Sequence, residues 1–511
     1  MSRSVSKPYA MHRALIPEIV AQIIDCNRSY PGYLYTCLLI NSLFFHSTAR
    51  ILWYGCGVGS STKGHITPYI CHLVQISRRD TSRGQLYASL IKLLRVSDGI
   101  VAEQEVGVMV GQPDGNEHVY FEELGGLGLE WTSLEELDMA QWAHTIEERG
   151  GILMQYLQPS LRKLVLCRSP VGDGWLEMLG ERCPRLKVLV LKPSVLKNGM
   201  SKDGLARFLR KCKVEYLDLR AEEQEWDRGL TEGMLEVLRT QGNLREIAIP
   251  DIDDDTIKQM ANGQRATDNM PFPALKSLRT GLSASGLHSL YCVTPRLSIL
   301  SLDLRRLSLS ASTSILPSVS IFSQLSTISI TFDKRVRIRG DELIHLAQSC
   351  PSLVSLSISK DQLNTTRPWS RDIQDSHIEA FARNAVHLKE LYLLFRVPQT
   401  AYPGEIWPTE VALESLARHC VHLERLWLTC DPNWDNLVWN PLRVLFPKVW
   451  DLQIAGPELR FSLGVLPEDI LRDMAKEFAA RCPELIEFRF LYPYGEEPLD
   501  ERIRDVLYIR R

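Results

Sequence analysis

The chain reads as an α/β solenoid, with short parallel strands alternating with helices, preceded by a small helical module. Three observations predict this. A strand phrase close to Leu-x-x-Leu-x-Leu occurs thirteen times between residues 133 and 492, opening at Leu134, Leu161, Leu186, Val214, Leu244, Leu275, Leu297, Leu325, Leu353, Leu388, Leu423, Val449 and Leu485. Most copies lie about 25 to 30 residues apart, a period at which one strand and one helix stack on the next pair. Apolar residues at i, i+3 and i+7 mark a short helix before several phrases, and a Cys-Pro pair closes it at Cys183-Pro184, Cys350-Pro351 and Cys482-Pro483, because proline disfavours a helical conformation of its predecessor.

The first module spans residues 12–54. Pro17 opens an apolar helix in which Ile19 and Ile23 are four apart, with Val20 and Ile24 on the adjoining edge. The polar break from Asp25 to Gly32 stops it. A second helical run passes through Leu34, Cys37, Leu38, Leu39, Ile40, Asn41, Ser42, Leu43 and Phe44, and a third runs from Ser47 to Trp53. Three helices in roughly 45 residues bury little surface alone and need a partner or a neighbouring domain.

The segments Ala14–Ile24, Cys37–Phe45 and Ala49–Trp53, in this order and spacing, resemble the F-box of fungal F-box proteins. That family often opens Leu-Pro-Pro-Glu-Ile; Leu15-Ile16-Pro17-Glu18-Ile19 keeps the second proline, and Ile40 stands for the commoner valine before Asn41. The resemblance implies a docking surface for the Skp-type adaptor of a cullin–RING ubiquitin ligase. Carried over with it are Leu15, Pro17, Ile19, Ile23, Leu38, Leu39, Asn41, Phe44, Leu52 and Trp53. Read without the resemblance, the same residues close a three-helix cap on the solenoid. Pro17, Leu39 and Trp53 are favoured for the interface, since apolar and aromatic anchors exceed what so small a core can hide. The module and the repeats are expected not to share a core.

Residues 55–130 read as a linker and the N-terminal cap of the solenoid. Gly55 to Ser60 is glycine-rich, but no clear strand precedes it and no Lys-Ser or Lys-Thr follows, so a linker turn is expected and not a phosphate loop. From Tyr87 to Val96 the apolar spacing predicts a helix carrying Leu90, Ile91 and Leu94, which covers the open end of the first repeat. Residues 103–117, with a Pro-Asp-Gly turn, are expected to be a loop.

Residues 131–492 are the repeats, and 493–511 a C-terminal tail. Leu176, Leu179 and Cys183 form one helical stripe; Leu205, Phe208, Cys212, then Leu343, Leu346, Cys350, and Leu413, Leu416, Cys420 repeat it. Cysteine acts in that slot as a small hydrophobe. Gln241 and Ala385 fill the same slot elsewhere, after Met234 and Val237 and after Ile378 and Phe381, so it does not require sulfur. The alternation resembles the cysteine-containing class of leucine-rich repeats.

Composition narrows the function. With 59 basic and 62 acidic residues the formal charge is −3, so no sequence-wide field favours nucleic acid or an anionic membrane. No apolar run is long enough to span a bilayer, and the first ten residues lack the apolar core of a signal peptide. A soluble protein of the cytoplasm or nucleus is expected. The 12 cysteines contain no Cys-x-x-Cys pair, which disfavours zinc ribbons and disulfide frameworks, so free thiols are expected. No cofactor or metal is implied: His419, Cys420 and His422 offer nitrogen and sulfur, but no second cluster completes four ligands. The acidic run Asp251 to Asp255 reads as a helix start and not as a calcium loop. Lys334, Arg335, Arg337 and Arg339 could grip a phosphate or an acidic peptide. No nucleophile–base set, HExxH or kinase-like motif is present, so the chain is expected not to be an enzyme.

The repeat phase predicts where a ligand binds. The leucines point inward, so the residues flanking the last two of each phrase face the concave side. Central repeats would present Ser301, Asp303, Thr327, Ser329, Thr331, Ser355, Ser357 and Ser359. Later ones would present Glu390, Tyr392, Arg425, Trp427, Asp451, Gln453 and Arg489, where aromatic area beside fixed positive charge suits a hot spot. The alternative reading is that Tyr392 and Trp427 pack on each other across neighbouring strands. For target binding, Glu390, Tyr392, Arg425, Trp427 and Arg489 are the candidates. Together the modules suggest the substrate-recognition subunit of an SCF-type ligase, with a Skp-type adaptor and a cullin–RING ligase as partners and an unidentified target protein. The alternative is a leucine-rich-repeat binding or scaffold protein outside any ligase.

Overall fold

The computed structural model describes residues 16–27, 30–40, 42–56, 70–97, 123–141, 153–167, 172–192, 201–220, 232–264, 271–304, 314–332, 338–360, 373–394, 407–432, 445–455, 473, 476–477 and 479–491. The chain divides into two compact units, Met1–Leu244 and Arg245–Arg511. The first holds α1 (Ile16–Cys26), α2 (Pro31–Cys37), α3 (Ser42–Leu52), β1 (Gly55–Cys56), α4 (Ile70–Arg79), α5 (Thr81–Leu90), β2 (Leu93–Ser97), β3 (Glu136–Gln141), β4 (Lys163–Cys167), α6 (Asp173–Arg182), β5 (Val188–Lys192), α7 (Lys202–Lys211), β6 (Tyr216–Asp218) and α8 (Glu232–Arg239). The second holds β7 (Glu246–Ala248), α9 (Asp254–Gln264), β8 (Ser277–Thr280), α10 (Ala284–Val293), β9 (Ile299–Asp303), α11 (Leu316–Val319), β10 (Thr327–Phe332), α12 (Gly340–Ser349), β11 (Ser355–Lys360), α13 (Asp375–Asn384), β12 (Glu390–Leu394), α14 (Glu410–His419), β13 (Arg425–Thr429), β14 (Asp451–Ala455) and β15 (Glu487–Leu491).

All thirteen phrases form strands, and within each unit every strand pairs in parallel with the next in sequence. Register follows the leucines. In the first unit Cys56, Leu94, Leu137, Leu164, Leu189 and Leu217 stand side by side; in the second, Ile247, Leu278, Leu300, Ile328, Leu356, Leu391, Leu426, Leu452 and Phe488 do. Every member of both rows is buried. A one-residue slip would turn a whole row of apolar side chains outward, so burial itself holds the register. This is the α/β leucine-rich-repeat solenoid fold. No helix among the described residues is long and apolar enough to cross a membrane.

The helical stripes lie inward, with Leu176, Leu179, Leu205, Phe208, Leu343, Leu346, Leu413 and Leu416 all buried. Cys183, Cys212, Cys350 and Cys420 each sit just past the last helical residue and donate their backbone N–H to the carbonyl four residues back. The thiols reach further than packing required. Cys212 Sγ donates to the Cys183 carbonyl at 3.3 Å, Cys350 Sγ to that of Phe322 at 3.5 Å, and Cys420 Sγ to that of Ala385 at 3.5 Å. Each bond adds a second donor to a carbonyl that already accepts the backbone N–H three residues on, where the preceding repeat turns toward its strand.

At the opposite helix end a second device recurs. Asp173, at the start of α6, accepts from the backbone N–H and hydroxyl of Ser201, the residue capping α7. Asp254 accepts from the hydroxyl of Ser283, which caps α10, and Asp375 from the N–H and hydroxyl of Thr409, which caps α14. The bonds from Ser201 hold the Asp173 carboxyl below its ordinary pKa. Glycine makes room for the carboxylates: a Cβ on Gly204 would meet Asp173 Oδ1 at 2.0 Å, and one on Gly286 would meet Asp254 Oδ1 at 2.7 Å. The acidic run does open a helix, with Asp253 accepting from the Thr256 N–H at 3.0 Å.

Three sequence expectations change. The parallel strands begin before the first phrase, since Gly55 and Cys56 form β1 and Leu93–Ser97 form β2, so the helix expected over Tyr87–Val96 ends at Leu90 and Leu94 lies on a strand. The second N-terminal run is not one helix; it turns after Cys37, and Ser42, Leu43 and Phe44 belong to α3. Nor are the helical module and the first repeats separate. The Trp53 ring stacks on Tyr87 of α5 at 4.6 Å and 11°, and the Tyr54 carbonyl accepts from Lys92 and Leu93 at the start of β2.

Candidate functional site

Two surfaces are built by these elements, one in each unit. On α1, Val20 and Ile24 are buried while Ile19 and Ile23, 100° away around the helix, are exposed. Leu34 and Cys37 of α2 are buried too, and the turn that follows carries Leu39 at 87% exposure and exposed Ile40. Tyr30, Tyr33 and Tyr35 add exposed aromatic area. Four aliphatic and three aromatic side chains thus face outward from a helical module that hides its own core with other residues. A folded chain seldom presents this many large apolar groups together without a partner.

The sequence-derived adaptor residues divide accordingly. Ile19, Ile23 and Leu39 are exposed; Leu38 and Phe44 are half-buried. Leu52 and Trp53 are corrected to packing residues, both buried, with Trp53 held against Tyr87. The aromatic anchor finds its partner in the adjoining repeat helix. Leu15 and Asn41 lie outside the described residues, and Pro17 is described only in its backbone.

The second surface is the face of the β7–β15 sheet on which the leucines do not lie. Ser301, Ser329, Ser357, Tyr392, Trp427 and Gln453 form one row in register, and Thr327, Ser355, Glu390, Arg425, Asp451 and Glu487 the next. The serines and threonines are half-buried, as are Glu390, Tyr392, Arg425 and Trp427. Tyr392 and Trp427 meet edge to face, 4.8 Å apart at 88°, yet each keeps exposed area, so packing and availability coexist.

Charge at this surface differs from the expected fixed positive patch. Arg425 lies 3.5 Å from Glu390 Oε1, donates to the Tyr392 hydroxyl at 3.5 Å and places its guanidinium 4.4 Å over the Trp450 ring. Ser355 donates to Glu390 at 2.9 Å. The Trp427 indole N–H donates to Asp451 Oδ2 at 3.1 Å. Asp451 is 5% exposed, and burial raises its pKa while the Trp427 bond acts the other way. Burial likewise raises the Tyr392 phenol, partly offset by the bond from Arg425. Asp451 and Gln453, expected to be presented, are buried. Arg489 continues the row in its backbone; its side chain is outside the description.

Of the basic run, Lys334, Arg335 and Arg337 fall outside the described residues. Arg339 precedes α12 and faces Glu342 of its first turn, 3.9 Å away. His419, Cys420 and His422 do not converge: Cys420 Sγ points to carbonyls of the preceding repeat, and His422 Nδ1 lies 3.3 Å from Lys448 Nζ. Among the described residues no group of three or more His, Cys, Asp or Glu could hold a metal ion.

The chain matches no protein-family model and no curated protein. Among solved structures it is similar to the Rad7–Elc1 complex in yeast, with 13% identity, TM-score 0.42 and coverage of 97% of this chain and 96% of that one. It is also similar to the leucine-rich-repeat-containing protein LegL7 from Legionella pneumophila, with 12% identity, TM-score 0.29 and coverage of 68% and 91%. Likenesses this distant leave function to be argued from the residues themselves.

Proposed function

We propose that this chain is the substrate-recognition subunit of an SCF-type cullin–RING ubiquitin ligase, holding a Skp-type adaptor with α1 and α2 and a target protein with the open face of β12–β14. The observation that carries the reading is the exposure of the large apolar side chains Ile19, Ile23, Leu39 and Ile40 on a module whose sequence resembles an F-box. Such a subunit performs no chemistry. It raises the rate of ubiquitin transfer by holding a target lysine near the charged enzyme carried elsewhere in the complex, replacing a bimolecular encounter by a positioned one.

One observation favours a second reading. Trp53 and Tyr54 join the helices to the first repeat, so the helices also serve as the end cap of the sheet, as a leucine-rich-repeat scaffold outside any ligase would need. Adaptor capture separates the two. Purified full-length chain is expected to bind a Skp-type adaptor, and the pair Ile23→Asp and Leu39→Asp, which alters only exposed positions, is expected to abolish binding while thermal unfolding is unchanged. Failure of the purified chain to capture the adaptor removes the ligase reading and leaves the scaffold, and undiminished capture by the double variant removes Ile23 and Leu39 as the docking residues.

A further inference from the structure

The helical module gives its largest side chain to its neighbour. Trp53, the one tryptophan of residues 12–54, is buried, and the ring on which it stacks belongs to α5. That ring, Tyr87, is buried as well, and Phe45 of α3 lies 6.4 Å from it.

The backbone leaves no slack at this junction. Trp53 and Tyr54 donate their N–H groups back to the carbonyls of Ala49 and Ile51. The Tyr54 carbonyl accepts from Lys92 at 2.9 Å and Leu93 at 3.1 Å, and Gly55–Cys56 already pair with Leu93–Leu94. Every residue between the end of α3 and the sheet is therefore bonded, and none forms a free linker about which the helices could swing. The far side is tied in the same way. Gln85 of α5 donates to the Glu130 carbonyl and accepts from its N–H, both at 2.9 Å, and the Lys92 carbonyl accepts from Glu135 and Glu136 at 2.8 Å where β3 begins.

The module has little else to hold it. α1 and α2 pack on α3, and the three helices have 11, 7 and 11 residues, lengths at which a helix in water is marginal without tertiary packing. A state with the helices closed and α5 and β2 open would bare both stacked rings and strip the Tyr54 carbonyl of both donors. The converse state bears the same cost. Half-open states are thus disfavoured from either side, which is the condition for opening in a single step.

We propose that α1–α3, α5 and β2 open and close as one cooperative unit, so that a protein seated on α1 and α2 holds the start of the solenoid closed. Occupancy of the exposed helical residues then sets how readily the first repeats open. The identity of that protein rests on the adaptor reading above; the shared opening does not.

Native-state hydrogen exchange of the full-length chain, read peptide by peptide, tests this with and without a Skp-type adaptor. Ile24→Val removes one methyl group from a fully buried site in α1 and is mild enough to leave the chain folded. It is expected to speed exchange of the slowest amides of α3 about two- to tenfold, and those of α5 and β2 by the same factor. Adaptor at a hundred times its dissociation constant is expected to slow all three about a hundredfold, since a ligand of the closed state acts on every amide that exchanges through the shared opening. An Ile24→Val effect confined to α1–α3 overturns the proposal. So does an equal change at β13, which would be unfolding of the whole chain and not of this unit. The two claims fail separately. Adaptor that does not bind, with Ile24→Val still speeding all three elements, defeats the ligase reading alone; adaptor that binds with protection ending at Leu52 defeats the shared opening alone.

Discussion

Strands β9–β11 and β12–β14 share one backbone plan and differ on their open face. Ser301, Ser329 and Ser357 occupy the positions that Tyr392, Trp427 and Gln453 occupy further along the same row. Behind both stretches the inward rows are equally apolar and equally buried: Leu300, Ile328 and Leu356 in one, Leu391, Leu426 and Leu452 in the other. The fold is thus indifferent to what stands on the open face, and recognition can be written there without touching the core. What the later stretch has is rings, a buried carboxylate and an engaged guanidinium, bonded to one another across three strands.

The largest effect should be common to both stretches. Ile358→Ala in β11 and Leu391→Ala in β12 each empty a fully buried site, and each should cost about 2–5 kcal/mol of stability as cavities form. Urea unfolding of the two variants measures this. A loss confined to one of them would mean that the stretches are not equivalent scaffold after all.

A smaller effect should divide them. Trp427→Ala should weaken target capture by about 2 kcal/mol, roughly thirtyfold, as truncation of an interface hot spot does. The paired change Ser329→Ala and Ser357→Ala should leave capture within about twofold, because surface substitutions away from such anchors change little. Titration of captured target against each variant decides. The reverse pattern would place recognition on β9–β11.

Which parts of this were legible in the sequence follows from range. The thirteen leucine phrases are local patterns, and each became a strand because its alternation of inward and outward residues needs no distant information. Leu93, Leu94 and Val96 sit in a short apolar stretch whose spacing fits helix and strand alike, so local pattern alone does not mark β2 as a strand. The stacking of Trp53 on Tyr87 joins residues 34 apart in sequence by their numbers, and no local pattern announces it. The carboxylate–cap bonds between helices were hidden for the same reason, with Ser201 and Asp173 28 residues apart. Their trace is the glycine three residues after the capping serine, at Gly204 and Gly286, where a Cβ would meet the approaching carboxylate. At the open face, Arg425 was readable as a charge but not as a charge already engaged, and Asp451 was readable as polar but not as buried.

The smallest difference is expected between Cys350, which precedes β11, and Cys420, which precedes β13. Both are buried at helix ends and both donate to a carbonyl of the repeat before. Burial disfavours the thiolate and pushes Cys350 from 9.0 up to about 11 and Cys420 up to about 12. A raised pKa leaves the thiol protonated through neutral pH, so the reactive thiolate is scarcer by a factor of about a hundred or more and returns only in strong alkali or on unfolding. Exposed Cys26 and Cys292 supply the reference within the same chain. Iodoacetamide labelling at neutral pH, read by peptide mass spectrometry, should modify Cys26 and Cys292 first. Cys350 and Cys420 should follow at least about a hundredfold later and nearly together, since alkylation must wait for the repeats around them to open. Early labelling of Cys420 alone would show that the repeats carrying the aromatic cluster open more readily than those carrying the serines, and the scaffold would no longer be indifferent to the face it presents.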